Sequence, residues 1–175
     1  MNYDLSKEFA AKLGVMLDAS LINYKHYELW CDEIIENMDK PPYWIIELTL
    51  IKYLPDALYT VNCYALSEPF VDFSYLELHD FQIACKYIKY VKKHISWAEF
   101  LLSAGDYSDA YRGCRMDCGD FYSMHNQFED SEYSKKVERT QSKEIANIFS
   151  KHIKEGEKYY EYFMKYFRQY VLKKK

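Results

Sequence analysis

Residues 80–95 read DFQIACKYIKYVKKHI, and their periodicity decides the fold class. Phe81, Ala84, Ile88, Val91 and Ile95 recur at three- and four-residue steps, while Lys86, Lys89, Lys92 and Lys93 fall largely outside that stripe. Apolar residues at this spacing line one face of an α-helix, because about 3.6 residues complete a turn. Asp80 supplies an acceptor for the unpaired N–H groups at the expected start. The quartet that follows, Ser96-Trp97-Ala98-Glu99, is a capping box in which the serine oxygen and the glutamate carboxylate each accept an orphan backbone N–H. Gly105 then reads as a left-handed stop.

Toward the C-terminus, Ala110, Cys114, Cys118, Phe121, His125 and Phe128 share one helical face and predict a helix from about Ser108 to Phe128. A polar stretch from Glu129 to Thr140 separates it from renewed helical spacing: Ile145, Phe149 and His152 or Ile153, then a seam of Tyr159, Phe163, Tyr166 and Tyr170. Tyr160, Tyr162 and Phe167 lie off that seam, and Gly156 is the expected kink. Toward the N-terminus, PFVDFSYLELH at 69–79 fits a loop, a short helix or a strand.

Before that segment, four helices are expected. The first runs from about Leu5 to Leu17 on Phe9, Leu13, Met16 and Leu17, and the second carries Tyr27, Trp30, Cys31, Ile34 and Met38. Pro41-Pro42 ends the second and starts a third through Trp44, Leu48 and Ile51; Leu54-Pro55 starts a fourth that ends near Ser67. Five Gly and four Pro in 175 residues leave little material for the turns of hairpins and barrels. The expectation is an all-α, single-domain helical bundle of about seven to nine helices over residues 1–175.

Composition narrows function mainly by exclusion. The five cysteines are odd in number and scattered, and MNYDLSKEFAAK has no secretory pattern, so reduced thiols in the cytoplasm are expected. No apolar run approaches the ~18 residues of a spanning helix, so no membrane association is expected. HExxH, GxGxxG, the phosphate loop and GxSxG are all missing, and no histidine has a glutamate three residues before it, which disfavours carboxylate-bridged metal sites. No cofactor, metal or catalytic residue is assigned.

Two constellations compete with that reading. Cys114, Cys118 and His125 on one helical face suit soft metal ligation or a nucleophilic thiol activated by Arg112 and Arg115, although Phe121 and Phe128 on the same face favour plain core packing. A small helical enzyme built around those three residues is one alternative. The tail from Lys151 to Lys175 interleaves eight Lys/Arg with aromatic rings, as a nucleic-acid-binding helix would. A core-facing seam and the helix macrodipole account for the same residues and outweigh that reading.

Residues 1–80 hold fourteen Asp/Glu against five Lys/Arg, so the N-terminal half is strongly acidic. Aromatic residues make up 18% of the chain, nineteen of them Tyr, a side chain that buries its ring while its hydroxyl stays wet and therefore suits recognition surfaces. Tyr24, Glu28, Asp32, Glu33, Glu36, Asp39 and Tyr43 are accordingly the candidate contacts to a basic protein partner. With its size, its acidic N-terminal half, its lack of catalytic motifs and the junction DKPPYWIIEL at Asp39–Leu48, the chain resembles small helical immunity proteins of bacterial toxin competition systems. The resemblance implies a protein inhibitor that binds one cognate toxin, often a nuclease, and occludes its active site.

Overall fold

A computed structural model describes residues 3–111 and 113–173; Met1, Asn2, Arg112, Lys174 and Lys175 lie outside the description. Among the described residues the chain is all-α: α1 (Lys7–Asp18), α2 (Tyr24–Asn37), α3 (Tyr43–Leu50), α4 (Leu54–Ala65), α5 (Tyr75–Val91), α6 (Trp97–Ala110), α7 (Cys118–Asp130), α8 (Lys135–Ile148) and α9 (Ser150–Lys173), with no strand. Two compact units result, one of residues 1–73 with 158–175 and one of residues 74–157, and α9 supplies residues to each.

In the first unit α1 packs along α4 and α2 along α3. Ser6 caps α1, its Oγ accepting from the Phe9 N–H, which sets the helix start two residues beyond the expected Leu5. Asn23 and His26 form a capping box on α2. The core is aromatic: Phe9, Tyr27, Trp30, Trp44, Phe163, Tyr166 and Tyr170 are all buried. Each such ring removed from water contributes roughly 1.5–3 kcal/mol. The expected seam on α9 holds at Phe163, Tyr166 and Tyr170, but Tyr160 is buried as well and Tyr159 only half so. The buried arc of the helix is therefore wider than one seam.

The second unit corrects several expectations. Its first helix begins at Tyr75 on an Ser74 cap, so the open segment 69–79 is loop to Ser74 and helix beyond. Asp80 is not a cap but a fully buried residue inside α5, where its carboxylate accepts the Arg115 backbone N–H at 2.9 Å and pairs with Arg115 Nε at 3.1 Å. The helix ends at Val91, which with Ile95 leaves the buried stripe. The Ser96–Glu99 capping box is formed, with Glu99 N–H donating to Ser96 Oγ at 3.2 Å and Ser96 N–H to Glu99 Oε2 at 3.1 Å.

Gly105 does not stop α6; it lies inside it, against the Tyr122 ring of α7, where a β-carbon would fall 2.6 Å from Tyr122 Cε1. The continuous helix expected over 108–128 is broken between Ala110 and Cys118, because Asp80 holds the backbone at Arg115 and Asp117 caps a new helix by accepting the Asp120 N–H. Gly156 likewise produces no break in α9.

Candidate functional site

A short helix, α3, carries three exposed large apolar side chains. Its eight residues, YWIIELTL, are apolar apart from Glu47 and Thr49, and an eight-residue helix with so little polar surface cannot bury every side. Trp44, Ile45 and Leu48 face the core. Tyr43 (72% exposed), Ile46 (38%) and Leu50 (79%) stand on the opposite side, within an arc of about 60° at 100° per residue. Tyr53, between α3 and α4, is also 66% exposed.

Acidic residues occur on α3 and on the chain leading into and out of it. Asp39 is exposed in the connection between α2 and α3, as is Glu36 near the end of α2; Glu47 is half-buried on α3 itself and Asp56 is exposed in the first turn of α4. Lys40 and Lys52 are the opposing charges in this stretch, and the Lys52 ammonium stands 5.8 Å from the Tyr24 ring centroid.

The seven residues picked out by the sequence differ in exposure and in their internal bonds. Glu36, Asp39 and Tyr43 are exposed. Asp32 accepts the Thr49 hydroxyl at 2.8 Å, joining α2 to α3. Glu33 accepts the Tyr3 hydroxyl at 3.1 Å and lies 3.9 Å from Lys165 Nζ on α9. Glu28 is half-buried, with Oε2 shielded from solvent and without a hydrogen-bond partner. Tyr24 meets Tyr170 edge-on at 5.9 Å. Three of the seven are thus free for a partner, whereas Asp32 and Glu33 serve internal bonds and Ile46 and Leu50 went unread. The legible signal for them was the nearly all-apolar α3 sequence, which a core-only reading absorbs.

The alternative constellations fare differently. Cys114 lies in the loop before α7 and Cys118 at its first position, so the two thiols and His125 do not share one helix. Ser108, Asp109, Cys114, Met116, Asp117 and Cys118 line a cavity of about 170 Å³, while His125 lies 3.5 Å from Glu129. Burial pushes the Cys114 thiol up, away from the thiolate a nucleophile requires. Among the described residues no cluster of three or more His, Cys, Asp or Glu is arranged to hold a metal.

A larger, open cleft of about 680 Å³ in the second unit is walled by Tyr90, Trp97, Phe128 and Tyr133, with Glu99 and Glu138. Burial and the Glu138 carboxylate, which accepts the Tyr90 O–H at 2.7 Å, push that phenol up to about 12. His94 and Ser96 also line the cleft, and the Ser96 hydroxyl is engaged in the α6 cap, where it accepts the Glu99 N–H. On α9, Arg168 lies 3.6 Å from Glu161 and Lys151 pairs with Glu77, and the rings of Phe163, Tyr166 and Tyr170 are buried rather than open to bases.

No helix among the described residues is long and apolar enough to cross a membrane. Comparison with protein-family models, with curated proteins and with solved structures returns no match to this chain.

Proposed function

We propose that this protein binds and occludes a basic partner protein through the α3 stripe, as an inhibitor of the immunity-protein kind whose cognate toxin supplies the basic surface. The observation that carries the reading is the exposure of Tyr43, Ile46 and Leu50 on one arc of a helix whose other arc is core. Contiguous exposed apolar side chains with a polar surround have the anatomy of an interface, in which a few large anchors supply most of the binding energy. Glu36, Asp39, Glu47 and Asp56 give that surround a negative sign, which favours a positive partner and speeds its approach.

The test compares immobilised wild type with Leu50→Asp in capture from the native lysate, followed by reconstitution with the purified captured protein. The expected result is one stoichiometric basic protein, retained by wild type and lost by Leu50→Asp, whose own activity is blocked at equimolar inhibitor. Glu36→Lys with Asp39→Lys should slow its association about tenfold at low salt. Capture that Leu50→Asp leaves intact, or that nuclease treatment removes, overturns the reading. So does a concentration-dependent dimer abolished by Leu50→Asp, since a second copy would then be the occupant.

A further inference from the structure

The first unit also contains a small, partly open pocket that uses none of the α3 residues. Tyr3, Asp4, Phe9, Trp30, Lys158, Tyr159 and Tyr162 line it, and its volume is about 240 Å³. Five of these seven residues are aromatic. The rings are set at large angles rather than stacked: Phe9 and Tyr159 meet at 68° with centroids 5.6 Å apart, and Phe9 and Trp30 at 48° and 5.7 Å. Such angles make walls of a box.

Hydrogen bonds fix two of the walls. The Trp30 indole N–H donates to the Tyr162 hydroxyl at 3.0 Å, and the Tyr3 hydroxyl donates to Glu33 Oε1 at 3.1 Å. Trp30 and Phe9 are buried, so they form the floor, while Asp4 and Lys158 are exposed. Asp4 and Lys158 bring one charge of each sign to the lining, and Glu33, behind Tyr3, is itself 3.9 Å from Lys165 Nζ, so the aromatic faces rather than net charge define the site.

From this arrangement we infer a binding site for a small organic cation, of the size of a trimethylammonium or guanidinium head group. The faces of Trp and Tyr rings carry negative quadrupole charge, and several faces around one cation reinforce each other. Size argues in the same direction. Most drug-sized or cofactor ligands occupy clefts of about 300–1,000 Å³, so this pocket takes a head group or a side-chain tip rather than a nucleotide.

The probes are choline and its neutral isostere 3,3-dimethylbutan-1-ol, titrated into the full-length protein labelled with ¹⁵N. The chain has three Trp, so its indole N–H signals number three, and Trp30→Phe identifies the one that reports the pocket floor. The expected result is a saturable shift of the Trp30 signal alone, with choline bound about tenfold more tightly than the isostere. Tyr159→Leu should abolish the shift and Asp4→Asn weaken it several-fold, whereas Leu50→Asp should leave it unchanged. Both mouth variants leave the Trp30–Tyr162 bond in place, and unchanged Trp44 and Trp97 signals report an intact fold. Equal affinity for the isostere, no Trp30 shift, or shifts centred on Trp44 or Trp97 would overturn the inference without touching the α3 reading.

Discussion

Trp97 donates its indole N–H to Gln141 Oε1 at 2.9 Å, and the amide of Gln141 in turn donates to the Met124 carbonyl oxygen at 2.9 Å. One buried glutamine thus ties α6, α7 and α8 together. Gln141→Leu keeps the approximate volume but leaves the indole N–H unpaired in a dry site, whereas the Met124 carbonyl keeps its helical partner. An orphaned buried donor costs about 1–3 kcal/mol. Urea denaturation should show a loss of about 2 kcal/mol with unchanged slope; a variant as stable as wild type would mean that water reaches the indole.

Gly156 is required by close approach rather than by bending. A β-carbon there would lie 2.7 Å from Ile88 Cδ1 and 3.5 Å from Phe81 Cε2, and both side chains are buried. Alanine gains up to about 1 kcal/mol of helix propensity at this position, but overpacking costs about 1–3 kcal/mol. Gly156→Ala should therefore destabilise by about 1 kcal/mol net. In an Ile88→Val background the colliding methyl is gone, and the same change should be neutral or stabilising. Additive behaviour of the two substitutions would remove Ile88 as the cause.

These two residues also mark what the sequence reveals. The α6 cap is local and was legible: Ser96 and Glu99 sit three residues apart and satisfy each other, whereas the cap expected at Asp80 lies at Ser74 instead. Apolar stripes gave the helices of the first unit, because each stripe has a core to face. The errors fall where a distant residue decides. Cys114, Cys118 and His125 keep helical spacing, yet the helix breaks because Asp80, 35 residues earlier, takes the Arg115 N–H. Gly105 and Gly156 read as stop and kink, and only the neighbouring Tyr122 and Ile88 explain them. At the candidate surface, acidity located Glu36 and Asp39, but exposure of Ile46 and Leu50 depends on which sides of α3 the rest of the unit covers. No periodicity contains that information.

The cysteines offer a direct check on the enzyme alternative. Cys31 and Cys85 are fully buried, and burial pushes both thiols far up. Cys114 is half-buried and also raised, while Cys63 on α4 is exposed. Thiolate fraction and access together set alkylation rate. In timed iodoacetamide labelling of the native protein, Cys63 should react first among these four, Cys114 more slowly, and Cys31 and Cys85 only on unfolding. If Cys114 reacts fastest at neutral pH, its environment activates the thiol and the catalytic reading gains ground.

Stability at low pH should depend on Glu77. This residue sits in the first turn of α5, where its carboxylate pairs with Lys151 and accepts from His152 Nε2 at 3.1 Å. His152 itself is buried, and its Nδ1 has no hydrogen-bond partner, so Glu77 is the contact that its ring makes with a charged group. Lys151 first and His152 second hold the Glu77 carboxyl below its ordinary value of 4.5. A carboxyl whose folded value is depressed binds protons more readily in the unfolded chain. Its contribution is therefore full above about 4.5 and is lost as pH falls through the folded value. Because the Glu77 side chain is 40% exposed, solvent screening keeps that contribution below about 1 kcal/mol. Urea midpoints of wild type and Glu77→Gln should differ at pH 6 and converge toward pH 3. A gap that stays constant over that range would show that the pairing adds nothing that titrates, and that Glu77 acts only through its packing at the start of α5.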